Sequence, residues 1–135
     1  MKPYKIIDHE ADTGFEIYGK NMEELYKNAA HALFSLIVDA ENVSTKTGKR
    51  IDIRDEDNLL IVFLNELLYL WDTEGFIPKE LSLKVEDGRV AGSVAGGFFD
   101  PDKHTLKNEV KAVTYHKFSV IEEKGILKAR IIVDL

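Results

Sequence analysis

Only two stretches of this sequence repeat their apolar residues with the period of a helix, and most of the rest alternates like strand. Met22, Leu25, Tyr26, Ala29, Leu33, Leu36 and Ile37 recur at spacings of three and four, which lines them along one face of an α-helix. Leu59 to about Glu74 is apolar nearly all round, so this second helix needs neighbours on more than one side, in a core or an interface. Two helices set among period-two segments point to the mixed architectures in which helices cover one face of an antiparallel sheet.

The ends of both helices carry their own signals. Asn21 is a good N-cap, and Glu24, three places on, can reach back to complete a capping box. The first helix stops near Val38. His31 falls off its apolar face and reads as solvated. Asp39 follows the last turn, where the helix dipole disfavours negative charge; either a cation or donor beside it or plain exposure is expected. Asp55-Glu56-Asp57-Asn58 loads acid onto the start of the second helix, as the dipole favours, and Gly75 with Pro78 ends it. Glu66, inside the apolar run, reads as a solvent-facing charge, the alternative being a buried acid held by a partner.

The strands follow from alternation. Gly14 to Gly19 alternates after the short run Lys5-Ile6-Ile7, and Val43 to Arg54 reads as a long strand or a hairpin. Leu81, Leu83 and Val85 alternate into Asp87-Gly88, a type I′ turn signal, and out along Arg89 to Val94. Gly92, Gly96 and Gly97 match neither the dinucleotide fingerprint nor the Walker loop; bends or close backbone approach account for them better. From Glu109 the chain reads as strands to its end, with a turn at Lys124-Gly125. Lys128, Arg130, Ile132 and Asp134 share one face of the last strand, and Leu127, Ala129, Ile131 and Val133 the other. Two helices and roughly six to eight strands are expected in a single domain, residues 1–135. The expected fold is an α+β two-layer sandwich, two helices packed on a mostly antiparallel, curved sheet.

Composition narrows the chemistry. The 135 residues include no cysteine, which removes disulfides, zinc–thiolate centres and cysteine nucleophiles and fits a reducing cytoplasm. Nothing in the sequence is long and apolar enough to span a bilayer. The formal charge of −6, without a basic stripe, makes a poor direct binder of nucleic acid. Any link to RNA is expected to run through a partner protein of basic character.

The acids concentrate at the chain ends. Asp8-His9-Glu10-Ala11-Asp12-Thr13-Gly14 holds three carboxylates and a histidine in seven residues, and Ile131-Ile132-Val133 closes on Asp134-Leu135. If the first and last strands lie side by side, these acids converge into an oxygen-only set of the kind that suits Ca²⁺ or Mg²⁺. The alternative is that Asp8 and Asp12 are turn residues and Asp134 a solvated strand end. The first run is not an EF-hand, because its glycine comes one place late and Gly19 stands where the loop needs Glu.

Asp8 to Gly14, followed by Glu24 to Phe34, resembles the opening signature of the archease family. Three later runs do too: Phe63 to Leu70, Val110 to His116, and Ile132-Val133-Asp134-Leu135. The blocks keep the family's order and span essentially the whole chain; Glu10 departs from the family's usual threonine. The resemblance implies a small α+β protein related to a strand-helix-strand-strand module, a non-catalytic protein cofactor of the RtcB-type RNA-splicing ligase. In that role it promotes the ligase's guanylylation and multiple turnover and broadens its nucleotide use. The resemblance further implies a divalent cation, usually calcium with magnesium or manganese as alternatives, on Asp12, Asp134 and Leu135. His9, Asp39, Lys111 and His116 match other motif positions and are expected to support the site or touch the ligase, Lys111 and Asp39 above all.

Two other classes stay open on residue chemistry. One is a metal-dependent phosphoesterase using the same acids with His9 or His116 as base. The other is a general chaperone presenting the apolar Leu59–Trp71 helix to clients.

Overall fold

The computed structural model describes residues 3–9 and 12–135, and of Asp8, His9, Asp12, His116 and Lys117 the backbone alone. Glu10 lies outside the described residues. Helix α1 (Met22–Ile37) and helix α2 (Leu59–Glu74) are the two helices expected. Asn21 caps α1 by accepting the Glu24 N–H at 2.8 Å, while the Glu24 carboxylate reaches one residue past the cap to the Lys20 N–H at 3.3 Å. Gly75 closes α2 with φ 71°, the left-handed conformation that glycine adopts without a Cβ penalty.

Nine strands are found among the described residues, in three antiparallel sheets rather than one curved sheet. Strands β1 (Tyr4–His9), β2 (Asp12–Gly19), β9 (Ile126–Asp134) and β8 (Ala112–Glu123) lie side by side in that order. Strands β4 (Thr47–Arg54), β6 (Arg89–Phe98) and β5 (Phe76–Glu86) form the second sheet. A two-residue ladder, β3 (Val38–Asp39) with β7 (Thr105–Leu106), is the third, and has no periodicity by which sequence could find it. The stretch 43–54 is one strand from Thr47 onward, not a hairpin. Pro78 sits inside β5 beside a register shift, where its missing N–H is tolerated.

Both hairpin turns are present, but the left-handed pair of a type I′ turn is found at Lys124–Gly125 and not at Asp87–Gly88, where the sequence predicts it. Lys124 (φ 54°) and Gly125 (φ 78°) are both left-handed, as a type I′ turn requires. At Asp87–Gly88 only Gly88 is left-handed, so that turn is not I′ but follows the type II pattern. Gly92, with φ 150°, and Gly96 are sites of close approach: a Cβ on either would overlap the carbonyl of Ser82 or Ile77 on the neighbouring strand.

The core lies between the helices and the sheets. Phe15, Ile17, Ala129, Ile131 and Val133 face inward from β2 and β9, against Leu25, Ala29 and Leu33 of α1. Tyr26 of α1 meets Phe63 of α2 at 5.4 Å between ring centroids. Trp71 stands edge-on to both Phe34 and Phe99. Helix α2 buries Leu60, Ile61, Phe63, Leu64 and Leu67 almost completely, each worth about 1.5–3 kcal/mol of transfer free energy. Most of its apolar surface is therefore met by the core, with Tyr69 left 59% exposed, and Glu66 is exposed as expected.

Candidate metal centre

Strand pairing brings the two ends of the chain together. Thr13 faces Val133 across the β2–β9 ladder, and the same register continued by one residue sets Asp12 opposite Asp134. His9 faces Asp12 on the other side, and Ala112 faces Asp134 from β8. One end of the four-stranded sheet thus reads His9, Asp12, Asp134, Ala112 from edge to edge. The Lys111 N–H donates to the Asp134 carbonyl at 2.8 Å, which ties the entry of β8 to the last turn of backbone before Leu135. Directly opposed residues in an antiparallel pair have Cβ atoms about 5 Å apart.

Buried apolar residues pack directly before this end. Ile131 and Val133 are buried on the core side. Ile132 is only 1% exposed although it faces the other way, beside Gly14 and Thr114. The Thr114 hydroxyl is buried there without a hydrogen-bond partner among the described residues. Asp134 and Leu135, next along, are exposed.

Among the described residues no three His, Asp or Glu side chains are grouped as a metal would need. The side chains of His9 and Asp12 lie outside that description. The donor set the sequence offers here is all oxygen, which fits a hard divalent cation and not a thiolate or imidazole metal.

The remaining sequence candidates separate. Asp39 is exposed on β3, opposite Thr105. The donors expected near it go instead to the carbonyls at the end of α1: Lys107 Nζ to Ser35 at 2.8 Å and Asn108 Nδ2 to Leu36 at 2.9 Å. Residues 105–111 run from that helix end to Asp134, so Asp39 and the acidic end of the sheet are joined by one short segment. Lys111 is exposed. His116 falls in a wide bulge in which residues 115–118 of β8 stand against Ile131 alone; bulges of this kind recur beside functional sites. His31, read as solvated, takes part in a hydrogen bond to the Lys79 carbonyl at 3.1 Å.

One residue at this site was not singled out by sequence reasoning. Asn65 of α2 donates from Nδ2 to the Val113 carbonyl and accepts the Val113 N–H at Oδ1, both at 2.9 Å. Its amide stands in for a neighbouring strand on the outer edge of β8, one residue from Ala112 and directly across from Val133. The only signal in the sequence is a polar residue interrupting an apolar helix.

The archease protein family model matches residues 4–135. The chain belongs to the archease family. Among its family relatives, the protein archease of Methanothermobacter thermautotrophicus is 37% identical over 140 residues, covering 100% of both chains. That of Archaeoglobus fulgidus is 39% identical over 138 residues, covering 98% of both. The solution structure of Methanobacterium thermoautotrophicum protein 1598 superposes with a TM-score of 0.84 at 36% identity, covering 100% of each chain. The α+β fold with two helices and antiparallel sheets is therefore the fold of the archease family. As to membranes, no helix among the described residues is long and apolar enough to cross one.

Proposed function

We propose that this archease activates an RtcB-type RNA ligase, promoting its guanylylation and multiple turnover and broadening its nucleotide use. It does so as a cytoplasmic protein cofactor, without catalysing a reaction of its own. Asp12, Asp134 and Leu135 would hold a divalent cation, calcium foremost, with magnesium or manganese as substitutes. A bound cation would supply concentrated positive charge for phosphate oxygens. The chain's own residues do the rest: His9 lies across from Asp12, His116 lies further along β8 in the bulge opposite Ile131, and Lys111 and Asp39 meet the ligase from the segment between α1 and β9. RNA is reached only through that partner.

The observation that carries this reading is the meeting of the chain ends: Thr13 pairs with Val133 in a register that, continued by one residue, leads to Asp12 and Asp134, and the Lys111 N–H sits on the Asp134 carbonyl. The chaperone alternative is less favoured, because most apolar residues of α2 are buried in the core, leaving Tyr69 as its exposed large apolar side chain.

Single-turnover guanylylation of a partner ligase, with and without this protein and across a panel of divalent cations, tests the proposal. Stimulation is expected with the wild-type chain and is expected to vanish with Asp12→Ala or Asp134→Ala while the fold persists. Stimulation by both variants at the wild-type level would remove the assigned site. Phosphate-ester hydrolysis by the protein alone, lost in the same variants, would favour a phosphoesterase instead.

A further inference from the structure

A second surface lies further along β8, where that strand passes the start of α2 and the β5–β6 turn. There the chain forms an open groove of about 530 Å³. Its floor is apolar, from Met22, Tyr26, Val85 and Phe118. Its rim carries Asp55, Glu56, Asp57, Glu86 and Asp87, with no lysine or arginine among the described lining residues. None of these five carboxylates is ion-paired among the described residues. The Asp55 carboxylate accepts the Asn58 N–H at 2.7 Å, which fixes the loop that forms one wall.

The third wall is the outer edge of β8. This strand ends the four-stranded sheet, and from Ser119 to Glu123 its ladder runs to β9 only. Asn65 closes the outer edge at Val113, but no described hydrogen bond closes it beyond the bulge. Every second residue of such an edge turns its N–H and C=O away from the sheet. All five residues from Ser119 to Glu123 are exposed, Ile121 by 50%. An open edge beside an apolar floor is the geometry that accepts an added strand. The acidic rim selects what that strand carries: it repels the phosphates of a nucleic acid and attracts lysine and arginine.

We infer that this groove docks an extended basic segment of a partner protein, which pairs with the Ser119–Glu123 edge and sets its cationic side chains against the rim carboxylates. The apolar side chains that alternate with them rest on the floor around Phe118. This site goes beyond the ligase reading and needs neither a ligase nor a metal for its test.

The probe is a capped octapeptide alternating arginine with valine, titrated into the full chain and followed by amide chemical shifts and fluorescence anisotropy. Shifts are expected to concentrate at 55–58, 86–88 and 118–123, with binding at least about tenfold tighter than that of a glutamate–valine counterpart and weakening with added salt. Reversing three exposed rim charges (Glu56→Lys, Asp57→Lys and Asp87→Lys together) is expected to weaken binding about tenfold or more. A peptide N-methylated at alternate residues, tested on the unaltered chain, is expected to lose binding because it cannot donate to the edge. Binding of the two peptides within twofold of each other, shifts confined to other surfaces, or full binding by the N-methylated peptide would each overturn the proposal. So would saturation of the same resonances by Ca²⁺ alone with no peptide response.

Discussion

Asn65→Ala separates the hydrogen-bonding role of this residue from its place on the helix. Alanine keeps the helix, being the best former, and removes both bonds to Val113, each 2.9 Å long. Val113 is 2% exposed, so water reaches its N–H and C=O poorly once the amide is gone. An orphaned buried backbone group costs about 1–3 kcal/mol. Two such groups, partly relieved by opening of the strand edge, give an expected loss of roughly 2–4 kcal/mol, a large share of the ~5–15 kcal/mol typical of a domain. Urea unfolding measures that loss, and hydrogen exchange at the Val113 amide locates it. Asn65→Asp keeps the acceptor for the N–H but faces the Val113 carbonyl with a second oxygen, and is expected to cost at least as much. Because Val113 pairs with Val133, Asn65→Ala is also expected to weaken Ca²⁺ binding at the proposed site, read by calorimetry. A stability loss below about 0.5 kcal/mol, with the Val113 amide still exchanging slowly, would refute the clamp.

The close approach at β5–β6 predicts that Gly92→Ala costs upwards of about 3 kcal/mol, since its Cβ would overlap Ser82 backbone at φ 150°. Gly48→Ala, which meets nothing within 4 Å, is the control and is expected to leave the thermal midpoint nearly unchanged; equal effects would reject the steric account. The Glu23 carboxylate accepts the Val85 N–H at 2.8 Å on the edge of β5, and that bond holds its pKa below the usual carboxylate value. A depressed folded-state pKa contributes stability that is present above the unfolded value and lost as pH falls through the folded one. Glu23→Gln is therefore expected to cost about 1 kcal/mol at neutral pH, with the two stability curves converging in acid; parallel curves would show that the charge is irrelevant. Asp72 carries the opposite sign: partial burial, then the neighbouring Glu109, push its pKa up, so its contribution is favourable only in acid and is lost as pH rises through the raised value. Asp72→Asn is expected to stabilise the chain by a few tenths of a kcal/mol at neutral pH, roughly the worth of an exposed charge at a helix C-terminus, and by nothing in acid, as thermal unfolding at the two pH values would report.

How much of this was legible depends on whether the information was local. Both helices could be read because a helix closes its hydrogen bonds within four residues: α1 shows its apolar face by period, and α2 its unbroken apolar length and its end signals. The hairpin at Lys124–Gly125 could be read as a turn for the same reason, although which of the two glycine turns is type I′ depends on twist and packing that no dipeptide encodes. The ladder of Val38–Asp39 with Thr105–Leu106 could not, since two residues carry no alternation and their partner lies far along the chain. The bulge at 115–118 hides in a run that alternates acceptably on paper, because a bulge is visible only against its partner strand.

The candidate metal centre divides along the same line. Its acids announce themselves by density at the two chain ends, and the pairing that joins them follows from a physical constraint on β9. Ile131, Ile132 and Val133 are buried in succession, so the last strand needs cover on both faces and neighbours on both edges. It lies between β2 and β8, and a strand placed there in antiparallel register with β2 carries its terminal acid to the start of β2, where Asp12 stands. What sequence reasoning could not supply is the restraint that holds β8 against that end. Asn65 reads as a flaw in an apolar helix until Val113 is placed beside it, because a polar side chain in a buried element declares that it has a partner without saying which.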